Sequence, residues 1–390
     1  MKKSSFLIIL LLLLSFVNVF AQEQPFKITH GPYLQDMSET GMTLLWTTNR
    51  DAIAWVETAP DDSTRFYLKE RPKYFSQECG FKKVSSVHSV RIDRLQPGTR
   101  YRYRIYSQEV LSHQGTEVLY GKAVASDVFR SKPFGFVTND ITRKNISFVM
   151  LNDIHERNEV MENLLKGTDW QKTDLVLFNG DMVNNLRSEE QMFGGFMDTA
   201  VRLFAGSIPM YYARGNHETR GNFATAFADY FPGPWGNLYY LFRQGPVCFV
   251  VLDCGEDKPD SDIEYSGIVA FDAYREKEAQ WLKEALLSDT FKNAPYKVVV
   301  AHIPPFGGWH GEQEVAERFV PLLNAAGADV MLCGHLHRYV RQNPKPGQDF
   351  PVIVNSNNTV LKAHADKNAL KIDILNLNGK LVDSLEIHPE

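Results

Sequence analysis

Five apolar runs in this chain each end on side chains that can bind a metal. ISFVML (146–151) is followed by Asn152, Asp153, Ile154 and His155, and DLVLFN (174–179) by Gly180 and Asp181. IPMYYAR (208–214) leads to Gly215, Asn216, His217 and Glu218. KVVVA (297–301) leads to His302, and DVMLC (329–333) to Gly334, His335, Leu336 and His337. Runs this short and this continuously apolar read as strands buried on both faces. Segments with helical spacing separate them, at 158–165, 189–204, 275–287 and 313–325. Strands alternating with helices predict a helix-flanked sheet, whose sites form outside the carboxyl ends of the strands. Gly180, Gly215 and Gly334 suit places where the chain turns sharply and backbone crowds a cluster.

The donor set narrows the chemistry. Two carboxylates (Asp153, Asp181), one amide (Asn216) and four imidazoles (His155, His302, His335, His337) suit Zn, Mn or Fe. Calcium prefers oxygen ligands throughout. A single Asp or Asn at a strand end is commonly a turn former or helix cap, but five tips in order outweigh that reading. Two divalent ions would bring more positive charge than two aspartates cancel, which favours an anionic substrate and a hydroxide.

The remainder of the chain is organised differently. Residues 25–130 read as all-β: MTLLWTT and IAWVET are short strand-like bursts, and HSVRIDRLQPGTRYRYRIYS is a strand, a Pro-Gly turn and a second strand. About 100 residues of this kind predict a β-sandwich, with Tyr101 and Tyr103 in its core. The segment 369–388 reads as an edge hairpin around NLNGK. At the start, Lys2 and Lys3 precede an apolar stretch over 6–14 and the tripeptide Val19-Phe20-Ala21. That is a signal-peptide pattern over 1–21, giving a mature start at Gln22, a secreted or periplasmic location and no membrane span in the mature chain. The four cysteines are too few for a disulfide framework, and Cys248 and Cys333 read as buried small hydrophobes. A net charge of −5 leaves no basic footprint for nucleic acid.

The ordered set D-x-H, G-D, G-N-H-E, H and G-H-x-H resembles the calcineurin-like metallophosphoesterase superfamily. GPYLQ, MTLLWTT and LQPGTRYRYRIY resemble the domain that precedes the catalytic domain of purple acid phosphatases. The resemblance implies a fibronectin III-like sandwich, then an α/β metallophosphoesterase domain over 145–390 built as a β-sandwich flanked by helices. It implies one ion held by Asp153, His155, Asp181 and His337, and a second by Asp181, Asn216, His302 and His335, with Asp181 bridging. His217 becomes a non-ligand facing the substrate and Glu218 its orienting partner. The activity implied is that of a secreted phosphoesterase acting on small phosphate monoesters. Its alternatives are a phosphodiesterase or nucleotidase, or a non-catalytic binding protein, which missing ligands would signal; none is missing. The sequence departs from purple acid phosphatases at Asn184, where they carry a tyrosine, and in having His155. Both changes argue against an obligatory Fe(III) site and against colour. Arg214, Tyr265 and His364 are candidates to reach phosphate, and Trp309 and His310 to line the pocket. His30, His88, His113 and His388 match no motif and read as surface or structural. Oligomeric state has no signature here.

Overall fold

The computed structural model describes residues 24–389, so the signal-peptide reading lies outside the described residues. The N-terminal part contains β1 (Ile28–Gln35), β2 (Met42–Pro60), β3 (Lys73–Phe75), a short hairpin of β4 (Gln77–Glu78) and β5 (Phe81–Lys82), β6 (Ser85–Ile92), β7 (Arg100–Gln114), β8 (Glu117–Ala125) and β9 (Phe134–Val137). β2 runs for 19 residues and changes partners half-way. Its first half pairs with β1 and β6, and its second half with β3 and β7. Seven strands therefore form one hydrogen-bonded sheet, folded over a core that includes Leu44, Trp46, Val56, Val90, Tyr103 and Ile105. Where the sequence predicts a two-layer sandwich, the structure has a single hydrogen-bonded sheet that continues through β2. β9 pairs with β7, which carries this sheet past residue 130. Tyr103 is buried, and Tyr101 only half so.

The second part contains β10 (Ile146–Leu151), β11 (Leu175–Asn179), β12 (Met210–Ala213), β13 (Tyr240–Gln244), β14 (Val247–Leu252), β15 (Tyr296–Ala301), β16 (Val330–Cys333), β17 (Val340–Gln342), β18 (Val352–Val354), β19 (Thr359–Ala365), β20 (Leu370–Asn376) and β21 (Leu381–Ile387). They form two six-stranded sheets, ordered β12-β11-β10-β19-β20-β21 and β13-β14-β15-β16-β18-β17. Alternate side chains leave a strand on opposite faces. Phe148 and Met150 accordingly face Phe249, Val298 and Val300 across the gap between the sheets, with Phe148 and Phe249 edge to face at 5.1 Å. Val149, Leu151, Val176 and Phe178 pack outward against Leu164, Phe196 and Phe204, and Val250, Val299 and Met331 against Leu282, Val315 and Leu323. The central strands are therefore apolar on both faces over most of their length, with Ser147, Asn179 and Lys297 near strand ends. Burying one such Val, Leu or Phe is worth about 1.5–3 kcal/mol.

The helices follow the expected segments with local differences. Phe271–Ala285 is one helix, whereas the segment expected at 313–325 is two, His310–Arg318 and Val320–Ala326, the second opening with Pro321. Proline has no N–H to continue a helix and is tolerated in a first turn. The closing hairpin pairs β20 with β21 at the sheet edge.

Hydrogen bonds, most of them buried, link the two parts. Tyr103 Oη donates to Gly206 O at 2.6 Å and Tyr33 Oη to Tyr230 O at 2.9 Å, while Asn139 Nδ2 donates to Arg243 O at 2.5 Å. His30 stacks on Phe193 at 4.2 Å, so it belongs to this seam.

Candidate metal centre

β10, β11 and β12 run parallel in one sheet, and β14, β15, β16 and β18 in the other. Their carboxyl ends bring all five tips together. The turns there are tight: Asp153, His155, Asp181, His335 and His337 all have positive φ, between 49° and 73°. Non-glycine residues hold such angles at a cost of order 1–3 kcal/mol each, and only where their surroundings dictate it. The space is correspondingly small. A Cβ on Gly180 would lie 2.4 Å from His302 Nδ1 and 2.6 Å from Gly215 Cα, and one on Gly215 2.3 Å from Asp181 Oδ1.

Ligand-type atoms of Asp153, His155, Asp181 and His337 lie within 4.8 Å of one another, and so do those of Asp181, His302 and His335. Asp181 belongs to both groups. Asn216 Oδ1 is 3.1 Å from His335 Nδ1, which adds it to the second group. His337 Nε2 lies 3.2 Å from Asp153 Oδ1, and His302 Nε2 3.1 Å from Asp181 Oδ2. Asp153, Asp181 and His302 are buried, whereas His337 is 47% exposed, so the cluster opens to solvent on that side.

Electrostatics and hydrogen bonding indicate what the cluster is suited to hold. Burial alone would lower the pKa of His302, but Asp181 and Asp153 carry it up to about 10. Burial would likewise raise Asp181, yet His302 and His217 hold it below the usual carboxylate range. The buried aspartates thus favour a cation. His302 Nδ1 donates to Asn179 O at 2.7 Å, which leaves Nε2 pointing into the cluster. Nε2 and Asp153 Oδ1 are both buried and make only the ion-pair contacts given above, with Asp181 and His337, and no well-formed hydrogen bond; an ion or water among them would complete their bonding. A histidine whose other nitrogen is held by a carbonyl has the usual arrangement of a metal ligand. The donor set fits borderline divalent ions.

The neighbours of His217 differ from expectation. His217 Nδ1 is 2.7 Å from Asn184 O, and its Nε2 lies 3.8 Å from Asp181 Oδ2. Glu218 does not touch it. The Glu218 carboxylate, 1% exposed, accepts from the backbone N–H groups of Asp181, Met182 and Gly215 and from Tyr212 Oη, at 2.7–3.0 Å. Residues His217–Thr219 form a 3₁₀ turn, and consecutive side chains there point about a third of a turn apart. Glu218 therefore ties the Asp181 loop to the Asn216 loop, and Asn184 O takes the place expected of it.

Other candidates are engaged elsewhere. Arg214 pairs with Asp253 at 2.9 Å, Tyr265 Oη donates to Glu256 at 2.8 Å, and His364 pairs with Ser147, at the opposite end of β10. His310 Nε2 is 2.7 Å from Asp272 Oδ1, while Trp309 is 53% exposed. Sequence reading missed residues that hold the tips. Asn152 Nδ2 donates to Asp153 Oδ2 at 2.5 Å, and Asn355 Nδ2 donates to Asn152 Oδ1 at 2.7 Å. The sequence places Asn152 in the first tip but gives it no role of its own. Asn355 is brought in only by the pairing of β18 with β16.

Residues 146–339 match the family model of the calcineurin-like phosphoesterases, and residues 32–129 that of the purple acid phosphatase N-terminal domain. The chain belongs to the calcineurin-like phosphoesterases. It is thus a metal-dependent hydrolase of phosphate esters, preceded by a domain of the purple acid phosphatase type. Among curated proteins it is similar to purple acid phosphatase 23 of Arabidopsis thaliana, 24% identical over 78% of this chain and 72% of that protein. It is also similar to acid phosphatase type 7 of Mus musculus, 24% identical over 83% of this chain and 73% of that protein. Among the described residues, no helix is long and apolar enough to cross a membrane.

Proposed function

We propose that this phosphoesterase is an exported phosphomonoesterase working with two divalent or mixed-valence metal ions, Fe, Mn or Zn, that share Asp181. One group of ligands is Asp153, His155, Asp181 and His337; the other is Asp181, Asn216, His302 and His335. The observation that carries this reading is the presence of two separate ligand groups with one aspartate in common. The relatives named above, a purple acid phosphatase and an acid phosphatase, support monoesters. The signal-peptide pattern over 1–21 supports export. We read the N-terminal sheet, to about residue 137, as a fibronectin III-like scaffold seated on the 145–390 catalytic domain.

Bound ions would supply positive charge to the phosphoryl oxygens and activate a water. The protein's own part is positional and protonic. Glu218 fixes the distance between the Asp181 and Asn216 loops by accepting from both. Protonated His217, with its Nδ1–H donated to Asn184 O, presents Nε2–H toward the cluster and can deliver that proton to the leaving oxygen.

A panel of monoesters and diesters, assayed on metal-reconstituted protein, tests the reading. Monoesters should show the higher kcat/KM, and a clear preference for diesters would overturn it. Asn184 at the tyrosine position predicts a second outcome. Iron-loaded protein should show no intense visible band, and such a band in its absorption spectrum would refute that assignment.

A further inference from the structure

We infer that Glu312, on the helix His310–Arg318, is a positioning residue that fixes the orientation and tautomer of His335. This rests on the reading of His335 as a ligand. His335 Nδ1 lies 3.1 Å from Asn216 Oδ1, so Nδ1 is the nitrogen on the side of the ligand group and the one that would bind an ion. The proton of a neutral imidazole must then sit on Nε2 and needs an acceptor. Glu312 Oε1 is 3.9 Å from Nε2.

Three further observations point the same way. Glu312 is 1% exposed, and its Oε1 is buried with no hydrogen-bond partner. A buried carboxylate oxygen left unpaired is costly and calls for an explanation; an imidazole N–H swinging about 1 Å toward it would supply a partner. The other oxygen, Oε2, is already fixed by Trp309 N at 2.7 Å, closing the first turn of the helix and aiming Oε1 at the centre. Room for the carboxylate comes from Gly307, whose φ is +142°, and a Cβ there would lie 2.1 Å from Oε1. The Gly307–Gly308 segment thus lets a helix 23 residues before His335 place an acceptor behind it. Outer partners of metal-bound histidines typically matter by about 10–100-fold in metal affinity or activity.

The test is metal affinity of the full chain, read by titrating Zn or Mn into metal-free protein, alongside thermal unfolding of the metal-free form. Glu312→Gln keeps an oxygen for Trp309 N but removes the charge behind His335. It should weaken one of the two ions by about 10-fold or more, leave the other within a factor of about two, and leave metal-free Tm unchanged. Glu312→Ala should weaken the same ion further and also lower metal-free Tm, because the helix start loses its partner. Glu312→Asp should restore neither. Two ions bound by Glu312→Gln with unaltered affinities would overturn the inference, as would equal weakening of both. Fewer than two ions on the unmutated protein would instead count against the proposed ligand sets.

Discussion

Two histidines are buried among the described residues, one in each part of the molecule, and their surroundings drive them in opposite directions. His88 lies in β6, with Nε2 2.9 Å from Thr48 Oγ1, its ring tilted against Trp46, and Nδ1 without a partner. Burial pushes its pKa down to about 3, and Lys83 adds to the effect. His302 is equally buried, but Asp181 and Asp153 overcome burial and carry it up to about 10. The difference lies in the neighbours. An imidazole among apolar strands is a neutral packing element, whereas one among carboxylates is part of a site that wants positive charge. Burial of a histidine therefore indicates little by itself; convergence of carboxylates on it indicates a great deal.

The sharpest way to break this comparison is to remove the charge that distinguishes the two sites. Asp181→Asn should abolish nearly all phosphoesterase activity and weaken both ions, a larger loss than the about 10–100-fold typical of an outer partner. Elemental analysis and hydrolysis rates on the same preparation check it; two tightly bound ions and full turnover would contradict the shared-ligand reading.

A second variant separates ligands from groups that merely face them. His217→Ala should keep both ions and lose rate by about 10²–10⁴-fold, the usual range for general acid help. The loss should be greater for alkyl phosphates, whose leaving oxygen needs a proton, than for nitrophenyl phosphate. Measured across leaving groups, an even loss would assign His217 to charge stabilisation alone, and a lost ion would make it a ligand.

The same contrast explains what could be read from the sequence. The tips were legible because each is tied to its strand by adjacency: an apolar run announces the strand, and the next two to five residues must emerge at its end. The longer helices of the catalytic domain were legible for the same local reason, apart from the break before Pro321 and the π-helical segments Phe193–Met197 and Val201–Ala205. Contacts made by packing were not. Glu312 stands 3.9 Å from His335 although 23 residues separate them, and Asn355 reaches Asn152 only because β18 pairs with β16. Glu218 was misjudged because adjacency in a 3₁₀ turn separates side chains. In the N-terminal sheet, the partner change in β2 falls at a register shift between Thr47 and Ala52, where no glycine or proline marks it.

The smallest expected effect concerns His88, which no activity assay should register. Folded, its pKa is about 3; unfolded, it returns to about 6.5. The unfolded chain therefore binds a proton that the folded chain refuses, over the window from about 6.5 down to about 3. His88 contributes its full stability above about pH 6.5 and loses it progressively as pH falls, at up to about 1.4 kcal/mol per pH unit. His302 in the metal-free centre has the opposite sign: its contribution is complete below about pH 6.5 and fades as pH rises through about 10. His88→Gln removes the titration while leaving an amide that can still bond Thr48. Carboxylates throughout the protein also titrate in this range, so the informative quantity is the difference between variant and unmutated protein. Denaturant unfolding at pH 7, 6, 5 and 4 should show the variant losing stability less steeply, by a few kcal/mol in total across the window. Parallel curves for the two proteins would mean that His88 is charged, or solvated, where it stands, and the contrast with His302 would fail.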